Sequence, residues 1–432
     1  MKISLSKIFL FLIATTVMGS GVGYSKLYLF HIVLVIFFFS FLYVYAKNGK
    51  QETLFSPRNK YIYFLYFFFS WYTLSIIWSL NPLYTLQYLF YLTIGISIVF
   101  LINSYANTIY KYSQIFVILK LFFLIAILIG ILEAFTPFRL PTSPFSEYAS
   151  LFGRKGTDFV DFNIDIIATI RSAPTVFWGN PNNLAVSMII TLPFFLLQDK
   201  FSIKLIGLSS IFLIVSMAGS RGSLISFAFL LFLYLFMKGI RYWLPIIVIF
   251  LTSLMFIPNY IEGLKDSDNA RIAEMAGTGD ALFKYLSKQE NSLNSISARQ
   301  QLIKNGLDAL WDSKGLGVGG GASIAVQEQK GEVGGRLKSM HNFWIEILVD
   351  AGIVVFILFM TWYLSISIKL YLIHKRSKDI FFRYNSGALF LSMMSFLISA
   401  ISASSVIYLL PMWLMFGMSI ALISLHRKEN IK

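Results

Sequence analysis

The sequence predicts an all-α polytopic membrane protein with about 12 transmembrane helices and a large outer (periplasmic or extracytoplasmic) loop between helices 9 and 10. Of its 432 residues, 57% are hydrophobic and only 13% are charged, whereas soluble domains carry roughly 25% charged residues. Apolar stretches long enough to cross about 30 Å of hydrocarbon recur along the chain. The sequence contains no cysteine, which excludes disulfides and thiolate chemistry.

The apolar stretches divide the chain into five regions. Helices 1–5 occupy residues 1–135, an outer loop follows at 136–182, and helices 6–9 occupy 183–258. The large outer loop, expected to cap or complete a catalytic site, spans 259–341, and residues 342–432 form helices 10–12 and a cytoplasmic tail. The spans themselves are predicted at about 3–24, 27–46, 60–80, 84–103, 113–135, 183–198, 201–219, 222–238, 241–258, 342–370, 382–400 and 402–424.

The distribution of basic residues predicts that both termini lie in the cytoplasm. With the N-terminus inside, the inner segments carry 19 basic and four acidic residues, so they hold the whole formal net charge of +15. Connections rich in Lys and Arg stay on the cytoplasmic side of a membrane. The positive charge is therefore a topology signal, and it does not indicate nucleic-acid binding.

The turn Ser220-Arg221-Gly222 joins two spans at the predicted outer face. An arginine at this depth is costly unless it meets an anion or a carboxylate. The flanking glycines would let backbone amides approach a ligand, and Ser223 is a candidate cap that would direct the helix N-terminus to the same anion. The alternative is an arginine that extends to lipid headgroups.

Residues 297–311 of the large loop predict an amphipathic helix that begins at Ser297. Arg299 projects from its buried face, where it needs an anion or a loop carboxylate such as Asp308. The predicted apolar face consists of Ile303, Leu307, Leu310 and Trp311. Five glycines follow within residues 315–321; such a run can cradle phosphate, but a flexible turn is the favoured interpretation because the P-loop ending is missing.

His341 and Asn342 open the tenth predicted span, and Glu346 and Asp350 follow as an acidic pair inside it. Histidine is the side chain best suited to proton transfer near neutral pH, although a histidine at a helix start can also serve only as a cap. Buried acids within spans are candidate functional residues. Only two of the four histidines lie near the outer face, so a multi-histidine metal site is not expected.

Three further polar features have structural or weaker functional interpretations. The segment Asn180-Pro181-Asn182 is a good helix start, with asparagine as cap and proline in the first turn. Asp266 and Asp268 are spaced like the acids of nucleotide-sugar enzymes, but those substrates are cytoplasmic and this pair is predicted outside. Glu133 is interpreted as a residue that faces the lipid headgroups.

Together these features resemble the O-antigen ligase and polysaccharide polymerase family of integral membrane glycosyltransferases. The resemblance rests on Phe177 to Ala185 (FWGNPNNLA), on Ser220-Arg221-Gly222, on Arg299 with the glycine run, and on His341-Asn342 followed by Gly352. The order of these motifs around the large outer loop matches the family from about residue 171 to 415. The first 170 residues match only as a series of spans.

The resemblance implies an enzyme of the bacterial cytoplasmic (inner) membrane. It would transfer an oligosaccharide from an undecaprenyl-diphosphate-linked donor to a glycan or glycolipid hydroxyl, by a metal-independent, inverting displacement without a cofactor. His341, Arg221 and Arg299 would be catalytic. Membrane lipid, a chain-length regulator and a flippase are implied partners. The implied substrate-binding residues are Ser220, Gly222, Asn182, Asn342, Arg171 and Glu346.

Polymerisation of repeat units is favoured over ligation, because ligases often carry a small or aromatic residue where this chain has Val355. O-antigen ligation to a lipid or core acceptor is the alternative within the family. Outside it, a transporter of lipid-linked oligosaccharides is disfavoured, since the polar candidates cluster at the outer edge and the two halves look unlike. A non-enzymatic subunit that binds cell-wall polymer is the third possibility.

Overall fold

The computed structural model of the protein describes residues 4–48, 59–154, 173–239, 294–330, 339–403 and 407–429. Arg171, Asp266 and Asp268 lie outside these ranges, as do the predicted ninth span at 241–258 and most of the 259–341 loop.

The described chain is almost entirely helical, apart from a two-residue antiparallel pairing of β1 (Gly23–Tyr24) with β2 (Leu27–Tyr28). The first helices are α1 (Leu5–Met18), α2 (Leu29–Asn48), α3 (Lys60–Leu74), α4 (Pro82–Tyr105), α5 (Ile109–Phe135), α6 (Pro181–Thr191), α7 (Pro193–Leu196), α8 (Phe201–Met217) and α9 (Arg221–Lys238). The later helices are α10 (Asn294–Asp312), α11 (Ser323–Gln329), α12 (Phe343–Ala351), α13 (Ile353–Arg376), α14 (Ile380–Ser399) and α15 (Leu410–Glu429). Short 3₁₀ turns lie at Gly19–Gly21, Ser75–Ile77 and Ala149–Phe152.

Within the described ranges, α4, α5, α9, α13 and α15 are long and apolar enough to cross a membrane. Shorter apolar helices accompany them at Leu5–Gly21, Leu29–Val44, Pro181–Leu196 and Phe201–Met217. The prediction of a helical membrane protein is confirmed. The number of 12 spans and the place of the large loop remain predictions.

Asparagines begin several of these helices, as the sequence predicts for α6. Asn180 caps α6 by accepting the N–H of Asn182 at 2.8 Å, and Pro181 occupies the first turn, where no N–H is needed. Asn81 caps α4 in the same way, again followed by a proline. These caps fix where each chain segment enters its helix.

Helix α15 lies at the centre of the bundle, because most of its most apolar segment is buried by other helices. It packs closely on α4, where a Cβ atom added to Gly95 would lie 2.2 Å from the Trp413 ring. Helices without a polar face are expected in such central positions. The result is a rigid apolar scaffold that supports polar groups at its ends.

The tenth predicted span, 342–370, is two helices, not one. The chain breaks at Gly352, which adopts a left-handed φ of +85° between α12 and α13. A Cβ atom at Gly352 would lie 2.3 Å from the Leu316 carbonyl oxygen, so only glycine fits where the glycine-rich segment crosses the break. A periodic apolar pattern runs through this break, which is why sequence reasoning predicts one helix.

Helices α10, α11 and α12 pack around a small apolar core of their own. The predicted amphipathic helix is confirmed as α10, but it begins at Asn294, so Ser297 lies inside it and does not cap it. The buried face agrees only in part: Leu310 is buried as predicted, but Trp311 is 69% exposed. Leu302 and Ala309 are buried as well. Gly306 lies on this buried face, where an added Cβ atom would lie 2.5 Å from Met340 and 3.1 Å from Val349 of α12.

Candidate functional site

The three residues expected to be catalytic lie close enough to influence each other's charge. Arg221 is the first residue of α9, Arg299 lies in α10, and His341 precedes the cap of α12. Burial and the nearby Arg221 lower the pKa of Arg299. Burial and the charge of Arg299 lower the pKa of His341 to about 4. The fold thus assembles two guanidinium groups and one neutral imidazole from three distant segments.

His341 is held in an unusual backbone conformation. Its φ is +48°, in the left-handed region that costs a residue with a side chain roughly 1–2 kcal/mol. Such outliers cluster at functional sites, where surrounding structure holds the strain. The ring Nδ1 atom is buried and has no hydrogen-bond partner among the described residues. A buried nitrogen in this state is available to accept a proton or hydrogen bond from a ligand.

Arg221 is positioned by tight packing of the Ser-Arg-Gly turn. Ser220 is buried, and its hydroxyl lies 3.0 Å from that of Ser223 and 3.1 Å from that of Ser402. A Cβ atom on Gly222 would lie 2.7 Å from the Ser402 side chain. Ser220, and not Ser223, occupies the cap position of α9. Ser220 and Gly222 therefore orient Arg221 at the positive end of a helix, a favourable place for an anion.

Asn342 and Glu346 have internal partners. Asn342 caps α12, since its Oδ1 accepts the N–H groups of Trp344 at 3.2 Å and Ile345 at 3.3 Å. Glu346 is buried and accepts a hydrogen bond from the Tyr88 hydroxyl at 2.9 Å. Both residues fix the helix that follows His341. Their predicted contact with substrate stays a prediction. Because the Oδ1 atom of Asn342 serves as the helix cap, that contact would use its side-chain amide nitrogen.

The glycine-rich segment has a structural role. Asp350 is buried, and its two carboxylate oxygens accept the N–H groups of Gly321 at 2.8 Å and Ser323 at 2.9 Å. Gly320 donates its N–H to Ser75 at 3.0 Å. These amides are engaged inside the protein and do not form a phosphate cradle. The segment forms a turn, as predicted. The sequence favours a flexible turn, but hydrogen bonds to Ser75 and Asp350 fix it.

The structure differs from sequence expectation for two acids. Glu133 is buried rather than facing the headgroups, and it accepts the N–H groups of Thr175 at 2.7 Å and Val176 at 2.8 Å. It thereby holds the loop that leads to Asn182, which is half-buried. Asp308 pairs with Lys330 at 3.6 Å and not with Arg299. Within the described ranges, no carboxylate forms an ion pair with Arg299.

Sequence reasoning missed Tyr88, Ser402 and Tyr408, which support the site from other helices. Tyr88 holds Glu346, and Ser402 packs on the Ser-Arg-Gly turn. Tyr408 lies within electrostatic range of Glu346 and 3.5 Å from Asn183. No local motif marks these residues, because each acts through a partner far away in the chain.

The arrangement suits an anionic ligand that is attacked by a nucleophile carrying a proton. Guanidinium groups stabilise oxyanions by charge-assisted, often bidentate hydrogen bonds. A neutral histidine beside them can accept the proton of an incoming hydroxyl. In the part of the chain that the structure describes, no group of three His, Asp or Glu residues could hold a metal ion.

Two comparisons with known proteins show what this chain is similar to. The family model described as O-antigen ligase matches residues 206–360, the segment that contains Arg221, Arg299 and His341. The chain is also 24% identical over 382 residues to the teichuronic acid biosynthesis protein TuaE of Bacillus subtilis (strain 168). That alignment covers 85% of this chain and 72% of the relative. The resemblance of this multi-pass bacterial membrane protein to the O-antigen ligase family, indicated by its motifs, is thereby confirmed.

Proposed function

We propose that the protein is a glycosyltransferase that transfers an oligosaccharide from a polyprenyl diphosphate to a hydroxyl of a glycan or glycolipid acceptor. The observation that carries the proposal is the convergence of Arg221, Arg299 and His341, three residues that the sequence motifs single out independently. The positive charge of Arg221 lowers the pKa of Arg299, so an anion placed between the two guanidinium groups would relieve their mutual repulsion. A diphosphate supplies that anion.

The reaction is a single displacement at the anomeric carbon. The acceptor oxygen forms a bond to C1 while the bond from C1 to the diphosphate oxygen breaks, and polyprenyl diphosphate leaves with the electron pair. Arg221 and Arg299 stabilise the negative charge that develops on this leaving group. The acceptor proton passes to the free nitrogen of His341. One displacement inverts the anomeric configuration and requires neither a covalent intermediate nor a metal ion.

The low pKa of His341 has two effects in this mechanism. With a pKa of about 4, the ring is neutral at pH 7 and always able to accept a proton. The same low value makes it a weak base while the site is empty. A bound diphosphate places negative charge beside Arg299 and His341, which raises the pKa of the imidazole toward its ordinary value. Substrate binding therefore strengthens the base at the time it is needed.

The reaction is assigned to the outer face of the cytoplasmic membrane, with both termini in the cytoplasm. The contacts of the described residues support this topology, because they join segments that the charge pattern assigns to the same side. Ser220 meets Ser402 at the predicted outer end, and Asn59 donates to Ser424 at 2.7 Å at the predicted inner end. The acceptor and donor would meet at this face, to which a flippase would deliver the donor.

Polymerisation of repeat units is the favoured activity. The similarity to a protein named for teichuronic acid biosynthesis, which extends over 85% of this chain, supports a role in making a polymer. Ligation of a finished chain to a lipid or core acceptor is the second candidate, supported by the match to the model described as O-antigen ligase. The two activities share the same chemistry and differ in the acceptor.

The test uses the purified full chain in proteoliposomes with a polyprenyl-diphosphate-linked repeat unit. Polymerisation produces a ladder of longer carrier-linked glycans and free polyprenyl diphosphate, and nuclear magnetic resonance of the product shows inversion at C1. Arg221→Ala is expected to abolish transfer while carrier binding is largely retained, and chelation of divalent ions should not slow the wild type. If Arg221→Ala transfers as fast as wild type, the proposal is wrong. Transfer only to a lipid A core acceptor would instead identify a ligase.

A further inference from the structure

A separate cavity of about 630 Å³ opens at the same end of the bundle. Its walls come from the turn after α1, the start of α2, the first half of α4, the loop after α5, the start of α6 and the segment before α15. Ligand pockets in proteins typically measure roughly 300–1,000 Å³. Arg221, Arg299 and His341 do not line this cavity, so it is distinct from the proposed reaction centre.

The cavity is electropositive. Lys26 and Arg154 line it, and none of its lining residues in the described part of the chain is an Asp or Glu. The Arg154 guanidinium is held by a hydrogen bond to the Ser20 carbonyl oxygen at 2.5 Å and lies 5.1 Å from the centre of the Tyr28 ring. Its buried Nε atom has no hydrogen-bond partner among the described residues. An anionic group in the cavity would find a positioned cation.

The walls also carry aromatic rings and polar groups of the kind that bind sugars. The Trp178 side chain is only 8% exposed, and its indole N–H has no hydrogen-bond partner within the described ranges. Asn183 is 1% exposed, and its Oδ1 is likewise without a partner among the described residues. Rings give flat apolar surfaces for the C–H face of a pyranose, while such donors and acceptors match its hydroxyls. The aromatic lining residues are Tyr28, Phe30, Phe90, Tyr91, Trp178 and Tyr408.

One residue of the cavity wall, Tyr408, relates the cavity to the helix that follows His341. Tyr408 lies in its wall, 3.5 Å from the Asn183 amide nitrogen and within electrostatic range of Glu346. Glu346 belongs to α12, which begins directly after His341 and Asn342.

We propose that this cavity binds a carboxylate-bearing sugar residue of the acceptor glycan, with the carboxylate on Arg154 and Lys26 and the ring against the aromatic wall. The role as acceptor site rests on the proposed function. Binding of the acidic sugar itself does not, because it depends only on the charge and shape of the cavity. A neutral glycan would leave the positive charge uncompensated, so the site selects acidic chains.

Calorimetry of the full chain in phosphatidylcholine nanodiscs tests the proposal with two probes. One is a trisaccharide of glucuronic acid, and the other is the same trisaccharide with its carboxyl groups reduced to alcohols. We expect the acidic probe to bind at least about tenfold more tightly. Asn183→Asp, which keeps the side-chain size and adds a negative charge, and Lys26→Gln should each weaken acid binding by about tenfold. The exposed Lys200→Gln at the other end of the bundle is the control and should change nothing.

Three outcomes decide between this inference and its alternatives. Equal binding of the two trisaccharides, or unchanged binding by Asn183→Asp, overturns it. Displacement of the acidic trisaccharide by phosphatidylglycerol added to the nanodiscs identifies a lipid-headgroup site and also overturns it. A protein that binds the acidic trisaccharide selectively but never transfers sugar upholds the cavity while refuting the proposed function. His341→Asn should bind the acidic trisaccharide as the wild type does.

Discussion

The buried polar groups at the two ends of α12 differ in whether they have hydrogen-bond partners. At its C-terminal end, the Asp350 carboxylate accepts two backbone N–H groups, and Gly352 fits tightly under the glycine-rich segment. At its N-terminal end, His341 is strained and keeps a buried ring nitrogen without a partner among the described residues. Both ends have the polar character that marks functional positions in membrane helices. In the proposed function, the unsatisfied end acts on the substrate, whereas the satisfied end stabilises the fold.

The largest expected effect is at the unsatisfied end. His341→Asn should lower the rate of transfer by about 10²–10⁴-fold, the usual contribution of a positioned general base. Asparagine tolerates the left-handed backbone conformation, so the midpoint of thermal unfolding in detergent should stay close to wild type. His426→Asn, at the predicted cytoplasmic end, is the matched control and should retain full activity. A large drop in the unfolding midpoint of His341→Asn would show that His341 is structural.

At the satisfied end, a substitution should lower stability more than activity. Asp350→Ala leaves the N–H groups of Gly321 and Ser323 buried without acceptors, which should lower the free energy of unfolding by about 2–6 kcal/mol. The measurement is thermal or denaturant unfolding in detergent, with the exposed Asp199→Ala as control. Transfer per folded molecule should remain substantial. If Asp350→Ala is as stable as wild type but inactive, the assignment of a structural role to Asp350 is wrong.

How far the sequence predicts this contrast differs between the two ends. The motifs predict Arg221, Arg299 and His341 as a group only through their resemblance to a family, because each residue taken singly also has a structural interpretation. They do not predict that the glycine-rich segment donates hydrogen bonds to the Asp350 carboxylate. The donors are backbone N–H groups, and they lie 29 and 27 residues before Asp350. The exposed Trp311 shows the same limit: an apolar period predicts a helix, but it does not decide which of its apolar residues are buried.

Conservative changes at Arg221 and Arg299 test what the site around His341 requires of its two arginines. Arg221→Lys and Arg299→Lys keep the charge but lose the planar fork that binds two phosphate oxygens, so each should lower the transfer rate by roughly 10–100-fold. Lysine is expected to retain more activity than alanine at both positions. Initial rates in proteoliposomes at saturating donor give the measurement. Full activity of both lysine variants would show that only a diffuse positive charge is needed.

The smallest effect at neutral pH concerns the titration of His341. The catalytic form is neutral, so kcat/KM should fall as the pH decreases through about 4, the pKa of His341 in the free protein. Because bound diphosphate raises that pKa, kcat should begin to fall at a higher pH than kcat/KM. The pH profiles are measured with wild type and with His341→Asn, which should lack this acidic limb. Coincident limbs in kcat and kcat/KM would contradict the assistance of the base by the substrate.

The wall of the acidic-sugar cavity has a consequence for the biogenesis of the protein. The turn after α1 is fastened by partners far along the chain: Ser20 donates to the Phe177 carbonyl oxygen at 3.0 Å, Thr142 donates to that of Gly21 at 2.7 Å, and Arg154 reaches Ser20. At about 5–20 residues per second, the ribosome needs on the order of 10–30 seconds to deliver these partners. During that interval the turn between α1 and α2 lacks these hydrogen bonds. The turn therefore reaches its final form only after residue 177 has been synthesised, and Arg221, Arg299 and His341 follow later still.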